Sequence, residues 1–570
     1  MPIIVPRMTC SCKSCGLSFE ITDADLAFYE KVSPVFGGRK FLIPPPTHCP
    51  ECRQQRRLAM CNEQNLYPAT CNRCRKAMIS QFYPDHPFPV YCRDCWHGGE
   101  WDPRSYGRDI DFNQPFFKQF AALQEIVPAQ GRDVQGTLVN CEYIHFAGSS
   151  KNCYLVMHAD FCEDCYYGYG FKKNVACVDG FYNLHCELCY DCIDVHRCYG
   201  LIGSQECVNC HASWFLRDCV GCKDCILCVG LREKQYCIEN QQYSQEEYAV
   251  MKQKFDLGSY RAYQSLKARR RELELKHLFK EYQGHNLQNC SGNHLYNCKN
   301  TLESYDCEDV EDGKHCYQVV LGAQNIHDVY QYGTNLQESY ECTICGENSY
   351  HLLFCFGGHV DSSDLLYCWY MESCKDCFGC TFMHHQRYCI LNKQYTREEY
   401  EKLAARLTQH MKQTGEWGEH FPMVSSLFGY NHTTAQLYYP LTKEDAERRG
   451  ARWSEYEPSP PKVEKVIPAD RLPDSIDDIP DDVLNWAIEC EVTLKPFLIQ
   501  KAELAFYRKM RLPIPRRHWL QRHTDRFRQR NPRKLWHRSC VKCGKDMQTT
   551  YSPERPEIVY CEECYLKAVY

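Results

Sequence analysis

Sixteen cysteines between Cys141 and Cys237 all carry numbers divisible by three. A single frame held that many times excludes insertions or deletions of anything but whole triplets. A period of three fits neither a half-buried strand, which repeats every two residues, nor an α-helix, which repeats every 3.6. It fits a β-solenoid whose coils bury and expose residues on a triplet beat. The commonest separations, 12 and 9 residues, predict a coil of about 21 residues. The interleaved Tyr, Phe, Asp and Asn suit exposed strand and corner positions.

The block occurs twice. Tyr236 to Tyr248 (YCIENQQYSQEEY) matches Tyr388 to Tyr400 (YCILNKQYTREEY) at nine of thirteen positions, at a lag of 152. Cys222, Cys225, Cys228 and Cys237 map onto Cys374, Cys377, Cys380 and Cys389 at that lag. In both copies a Ser or Thr is followed three residues later by Glu (Ser244/Glu247, Thr396/Glu399), a capping box that starts a helix. Each block therefore ends in a hairpin-like strand and a helix able to cover the open coil end. The second copy keeps the beat less strictly between Cys316 and Cys368, which predicts insertions there.

The outer cysteines obey another rule. Cys12 and Cys15 are matched by Cys49 and Cys52; Cys71 and Cys74 are followed, after 17 residues, by Cys92 and Cys95. Two Cys-x2-Cys knuckles supply the four thiolates that structural Zn²⁺ prefers, and such a closed site stabilises a small fold rather than catalysing. Free cysteines or ferrous iron in the same cage are the alternatives, and zinc is preferred. Cys10 and Cys61 fall outside both quartets and read as packing residues. Asp23 to Lys31 reads as a short helix with an Asp N-cap.

The C-terminus repeats the plan. Glu503 to Lys509 (ELAFYRK) echoes Asp25 to Lys31 (DLAFYEK), and Cys540, Cys543, Cys561 and Cys564 reproduce the second quartet with the same 17-residue gap. The first quartet has decayed to Cys490, Thr493, His518 and Gln521, so Cys490 and His518 form a weak or lost metal site. The end modules resemble the zinc-binding ribbon and treble-clef family of uncharacterised bacterial proteins, including Cys-rich proteins of candidate-phyla bacteria. The likeness rests on Cys12-x2-Cys15-Gly16, Phe28-Tyr29, Cys49-Pro50-x-Cys52-Arg53 with Arg56-Arg57, and the two ribbons with 17-residue gaps. It implies zinc binding and no known reaction; the three intact quartets themselves predict about three structural zinc sites.

The 28 central thiols admit three readings. A small, soft side chain suits an inward ladder in a narrow core, and free Cys is among the most buried residue types. Extra zinc between coils is the second. An iron–sulfur cluster is the third, but Cys219, Cys222, Cys225 and Cys228 lack the final x3 gap and the Pro of the ferredoxin run, and the x2 spacing follows from the triplet period. With 43 cysteines and no readable signal peptide, the thiols are expected to be reduced and the protein cytoplasmic. No apolar stretch approaches the ~18 residues of a membrane span.

Residues 508–538 hold twelve Lys/Arg against one acid, Asp525. Arg516, Arg517, Arg522, Arg526, Arg528, Arg530, Arg533 and Lys534, with Trp519 and Trp536 interleaved, are candidate contacts to phosphates and unpaired bases. The competing reading docks this face onto acidic protein, such as Asp474 to Asp482 or Glu303 to Asp312. No GxxxxGK[ST], HExxH or GxSxG motif is present. Residues 454–480, rich in Pro, Ser and charge, read as a linker.

The expected architecture is multidomain and mainly β. Zinc treble clefs or ribbons fall at 1–60 and 61–100, a connecting segment at 101–140, and Cys-rich solenoid blocks at 141–243 and 284–395. Helical caps follow at 244–283 and 396–413, an irregular segment and linker at 414–483, a degenerate basic clef at 484–538 and a final ribbon at 539–570. The expected function is a non-enzymatic zinc-binding scaffold for RNA, DNA or a ribonucleoprotein, with a protein partner as the alternative. A redox or metal-handling protein using the central cysteines is the competing class.

Overall fold

In the computed structural model, residues 7–170, 175, 178–180 and 190–569 are described. Cys177, Cys186 and Cys189 of the triplet series lie outside them.

The triplet beat is a backbone conformation before it is a side-chain pattern. From Asn152 to Tyr167 every third residue takes a left-handed φ between 51° and 57°, and from Asn297 to Leu321 between 47° and 62°. That conformation costs most L-residues roughly 1–2 kcal/mol and is best tolerated by Asn and Asp, which accounts for the Asn and Asp at these corners. The residue after each corner points inward. All the described cysteines from Cys141 to Cys237 are buried in one core, and those from Cys298 to Cys389 in another.

Parallel bridges join Lys151 to Glu163, Glu163 to Val175, Tyr199 to His211 and His211 to Lys223, each a step of twelve. The coil is therefore twelve residues, four triplets, and not the 21 expected from adding separations: a gap of 12 is already one full coil. In the second block, Val310–Ala323, Ala323–Leu336, Gln337–Tyr350 and Tyr350–Ser363 step by thirteen, which is where the cysteine frame slips. Lys375–Arg387 returns to twelve.

Each block ends in an antiparallel turn of strand, Cys237 against Gln242 and Cys389 against Gln394. The helices Gln245–Lys252 and Arg397–Thr414 then start on complete capping boxes from Ser244 and Thr396. The chain is mainly β, with a solenoid region spanning 134–390 and twelve α-helices among the described residues. None of these helices is long and apolar enough to cross a membrane.

Contacts divide the chain into two units. The first joins Met1–Arg132, Tyr282–Tyr456 and Arg533–Leu535; the second joins Asp133–Glu281, Glu457–Pro532 and Trp536–Tyr570. Each unit thus combines one solenoid block with the Cys-x2-Cys modules from the distant end of the chain. Within the first unit, helix Asp23–Lys31, capped by Thr22 rather than by an Asp, lies on the second block. Asp25 pairs with Lys314 at 2.8 Å and Phe28 stacks on His327 at 3.6 Å. Within the second unit, helix Lys501–Met510 does the same on the first block, where Glu503 accepts from Tyr167 Oη at 2.8 Å. The stretch expected as a linker is partly built in: Lys465–Pro468 pairs in parallel with Trp486–Glu489, and Ile476 is buried.

Candidate metal centres

Three quartets of thiols converge: Cys12, Cys15, Cys49 and Cys52; Cys71, Cys74, Cys92 and Cys95; Cys540, Cys543, Cys561 and Cys564. In each, all four Sγ atoms lie within 4.8 Å of one another. All twelve were expected, and these are the sets of three or more His, Cys, Asp or Glu ligand atoms so gathered among the described residues.

Backbone geometry builds each cage. In every first knuckle the residue immediately after the second cysteine turns back, so that Gly16, Arg75 and Gly544 N–H bond to the carbonyls of Cys12, Cys71 and Cys540 at 2.9–3.0 Å. These three residues take φ of 65° to 74°, the left-handed turn that glycine adopts at least cost. In the second knuckle the first cysteine caps a helix: Cys49 precedes Pro50–Leu58 and Cys92 precedes Arg93–His97. The positive end of the helix dipole then faces the thiolates.

The residues fit Zn²⁺. A tetrahedron with Zn–S bonds of about 2.3 Å has sulfur–sulfur edges of about 3.8 Å. The pairs Cys15–Cys49, Cys74–Cys92 and Cys543–Cys561 stand at 3.7, 3.8 and 3.7 Å. Amide donors aim at the sulfurs, Cys92 N–H to Cys71 Sγ and Cys561 N–H to Cys540 Sγ, both at 3.3 Å. Burial raises the thiol of Cys71, but the amides of Cys92, Cys74 and Arg73 outweigh it and bring it down to about 6; Cys540 follows for the same reasons. With all four positions filled by protein, no ligand position is left open for a substrate.

The decayed quartet keeps the knuckle without the cage. Leu494 N–H bonds to Cys490 O at 3.0 Å, and Leu494 takes the left-handed φ of 58°. His518 stands where Cys49 does, at the N-cap of helix Trp519–Phe527, but its Nδ1 accepts from Leu520 N–H at 3.2 Å. Burial, aided by Arg522 and Lys495, holds its ring down to about 4. Gln521 bonds to Asp525 at 2.7 Å instead of facing a metal.

The inner thiols make a different kind of site. Cys210 N–H donates to Cys198 Sγ at 3.3 Å, and Cys222 N–H to Cys210 Sγ at 3.4 Å. Many of these thiols in turn donate to a carbonyl nine residues on, as Cys198 does to Cys207 O at 3.6 Å and Cys210 to Cys219 O at 3.4 Å. Where serine replaces cysteine in the column, the hydroxyl does the same work: Leu216 N–H to Ser204 Oγ and Cys225 N–H to Ser213 Oγ, both at 3.0 Å. Where the inward side chain is Cys or Ser it accepts from a buried amide, and aliphatic residues such as Val156, Leu201 and Leu216 fill the positions between. Cysteine is more than filler here. Burial pushes Cys298 up to about 11 and Cys316 up to about 12, which keeps them as thiols.

The arginines named for nucleic acid are largely turned inward. Arg522 and Arg526 both reach Asp179 at 2.9 Å, Arg530 reaches Asp194 at 2.9 Å and Arg517 holds Glu491 and Asp525 at 2.6 and 2.7 Å, all within the second unit. Arg516 lies over the Tyr260 ring at 4.2 Å. In the first unit Arg533 pairs with Asp306 at 2.9 Å and Lys534 with Glu51 at 3.4 Å. Trp519 and Trp536 are half-buried, and Arg528 is exposed. The acidic stretches named as the competing partner are used: Asp306 lies in one and Asp477 and Asp481, which meet Arg511 and Arg508, in the other.

Sequence reasoning missed the carboxylates. Asp328 receives Arg53 and Arg57 in the first unit as Asp179 receives Arg522 and Arg526 in the second. The signal was present in the arginines, which stand one and five positions after Cys52 and again after Gln521. No protein-family model matches the chain, and none of the curated proteins matches it.

Proposed function

We propose that the chain is a non-enzymatic scaffold in which three zinc ions hold small ribbon and treble-clef modules in shape against Cys-laddered solenoids. The observation that carries this reading is the closure of all three quartets at sulfur spacings suited to Zn²⁺. A closed thiolate set supports a fold and leaves chemistry no open position. The modules' helices bring buried ionic anchors, Arg53 and Arg57 or Arg522 and Arg526, onto a solenoid corner, so the metal fixes the very surface that docks.

A protein partner is better supported than nucleic acid, because most of the cations expected to meet phosphate are paired within their own unit. The redox reading draws no support from inner thiols that serve as hydrogen-bonding spacers. Metal analysis of the purified chain tests the proposal: three zinc ions per chain without iron are expected. Iron with visible absorbance, or many more metal ions than intact quartets, would sink it.

A further inference from the structure

The internal duplication leaves one place filled in the second unit and open in the first. In the second unit the acidic segment Asp474–Val483 lies along helix Lys501–Met510. Tyr260 N–H bonds to Asp474 O at 2.9 Å and Ile476 N–H to Gly258 O at 3.0 Å. Arg508 donates to Ile479 O at 2.8 Å and pairs with Asp481, while Arg511 pairs with Asp477 at 3.0 Å. Ile476, Ile479 and Val483 are buried, and beneath them Leu504 is 2% exposed.

The first unit has the same walls without the segment. Leu26 stands where Leu504 does and is 39% exposed. Glu30 replaces Arg508. Leu42, seven residues before the helix-capping Cys49 as Arg511 is seven before His518, is 54% exposed. Lys412 stands where Tyr260 does at the 152-residue lag. Together with Pro44, Pro45 and Trp417 these residues line a groove of about 600 Å³.

We infer that this groove docks an aliphatic segment of a partner protein, one that follows the 3-10 turns of Ile476–Asp478 and Asp481–Asn485 and has the spacing of Ile476-x-x-Ile479-Pro480 but altered charge. The template comes from the second unit. Where Asp477 meets Arg511, the groove offers Leu42 and asks for an apolar residue. Where Asp481 meets Arg508, it offers Glu30 and asks for Lys or Arg. The matching core is Ile-Leu-Asp-Ile-Pro-Lys. Charge complementarity at Glu30 then sets the choice of partner, since like charges held together there would oppose binding.

Fluorescence anisotropy on the full chain tests this with a labelled twelve-residue peptide carrying that core. The comparison peptide carries Ile-Asp-Asp-Ile-Pro-Asp. Saturable binding of the first, at least tenfold tighter than of the second, is expected. Glu30→Lys should reverse the preference and Leu26→Asp should abolish binding of both. Both positions are exposed, so an unchanged circular dichroism melt will show that the fold is intact. No saturable binding of the basic peptide, or binding indifferent to Glu30→Lys and Leu26→Asp, would overturn the proposal. So would binding that emerges only after residues 1–6 are deleted, which would give the groove to the chain's own start.

Discussion

Arg53 Nε and Nη2 donate to Asp328 Oδ1 and Oδ2 at 3.0 and 2.8 Å, a two-pronged pair closed across 275 positions of chain and shut off from water. The guanidiniums of Arg53 and Arg57 overcome burial and hold the Asp328 carboxyl well below the usual carboxylate range.

Removing one partner strands a buried charge, which costs about 3–5 kcal/mol. Arg53→Ala should therefore shift the urea midpoint of the first unit sharply, and Arg522→Ala should do so for the second. A loss under about 1 kcal/mol, with zinc content unchanged, would show that the pair is not an anchor.

The inner columns separate size from hydrogen bonding. Cys210→Ser keeps an acceptor for Cys222 N–H, as Ser213 does for Cys225, and should change stability by less than about 1 kcal/mol. Cys210→Ala leaves that amide unpaired and should cost about 1–3 kcal/mol. Equal effects of the two would mean that the sulfur only occupies volume.

Metal counting distinguishes the four end modules. Cys15→Ser, Cys74→Ser and Cys543→Ser touch exposed ligands of separate quartets, and each should lower the zinc content of native protein by one in mass spectrometry. Cys490→Ala should lower it by none. A zinc ion lost on that last change would restore a fourth site.

Acid should weaken the first unit through His327. Burial presses its ring down to about 4, opposed by Asp25 and Asp328 and assisted by Lys314 and Arg53. In the unfolded chain it titrates near 6.5, so the unfolded state takes up the proton first. The contribution of the neutral ring is fully present above pH 6.5 and is lost as pH falls towards 4, on the order of 3 kcal/mol across that window. His327→Phe keeps the stack on Phe28 and should flatten the slope of stability against pH between 4 and 6.5. An unchanged slope would assign it to other groups.

The sulfur cages were readable because a knuckle is local: two cysteines, two residues and a turn residue such as Gly16 specify it. The solenoid was readable from its frame, but its coil length was not. A spacing of 12 or 9 does not say which carbonyl Cys210 meets, and only the ladder shows that 12 is the coil and 9 the diagonal. The basic stretch misled for a related reason. Arg522 and Arg526 look like a phosphate surface until Asp179, more than 340 residues earlier, is brought beside them. Pairing across such a distance leaves no mark in local composition, only the echo of Arg53 and Arg57.

The exchange of ends between the two units has a consequence for birth on the ribosome. The modules in Met1–Arg132 fold against Tyr282–Tyr456, so some 150 residues must be made before their seat begins to emerge. At roughly 5–20 residues per second that is a wait of about eight to thirty seconds. The first block waits longer still for the modules beyond residue 457. During that interval the early modules have only their own hairpins, helices and thiolate cages to hold them, so a cell starved of zinc should lose this protein in synthesis before it loses any already made.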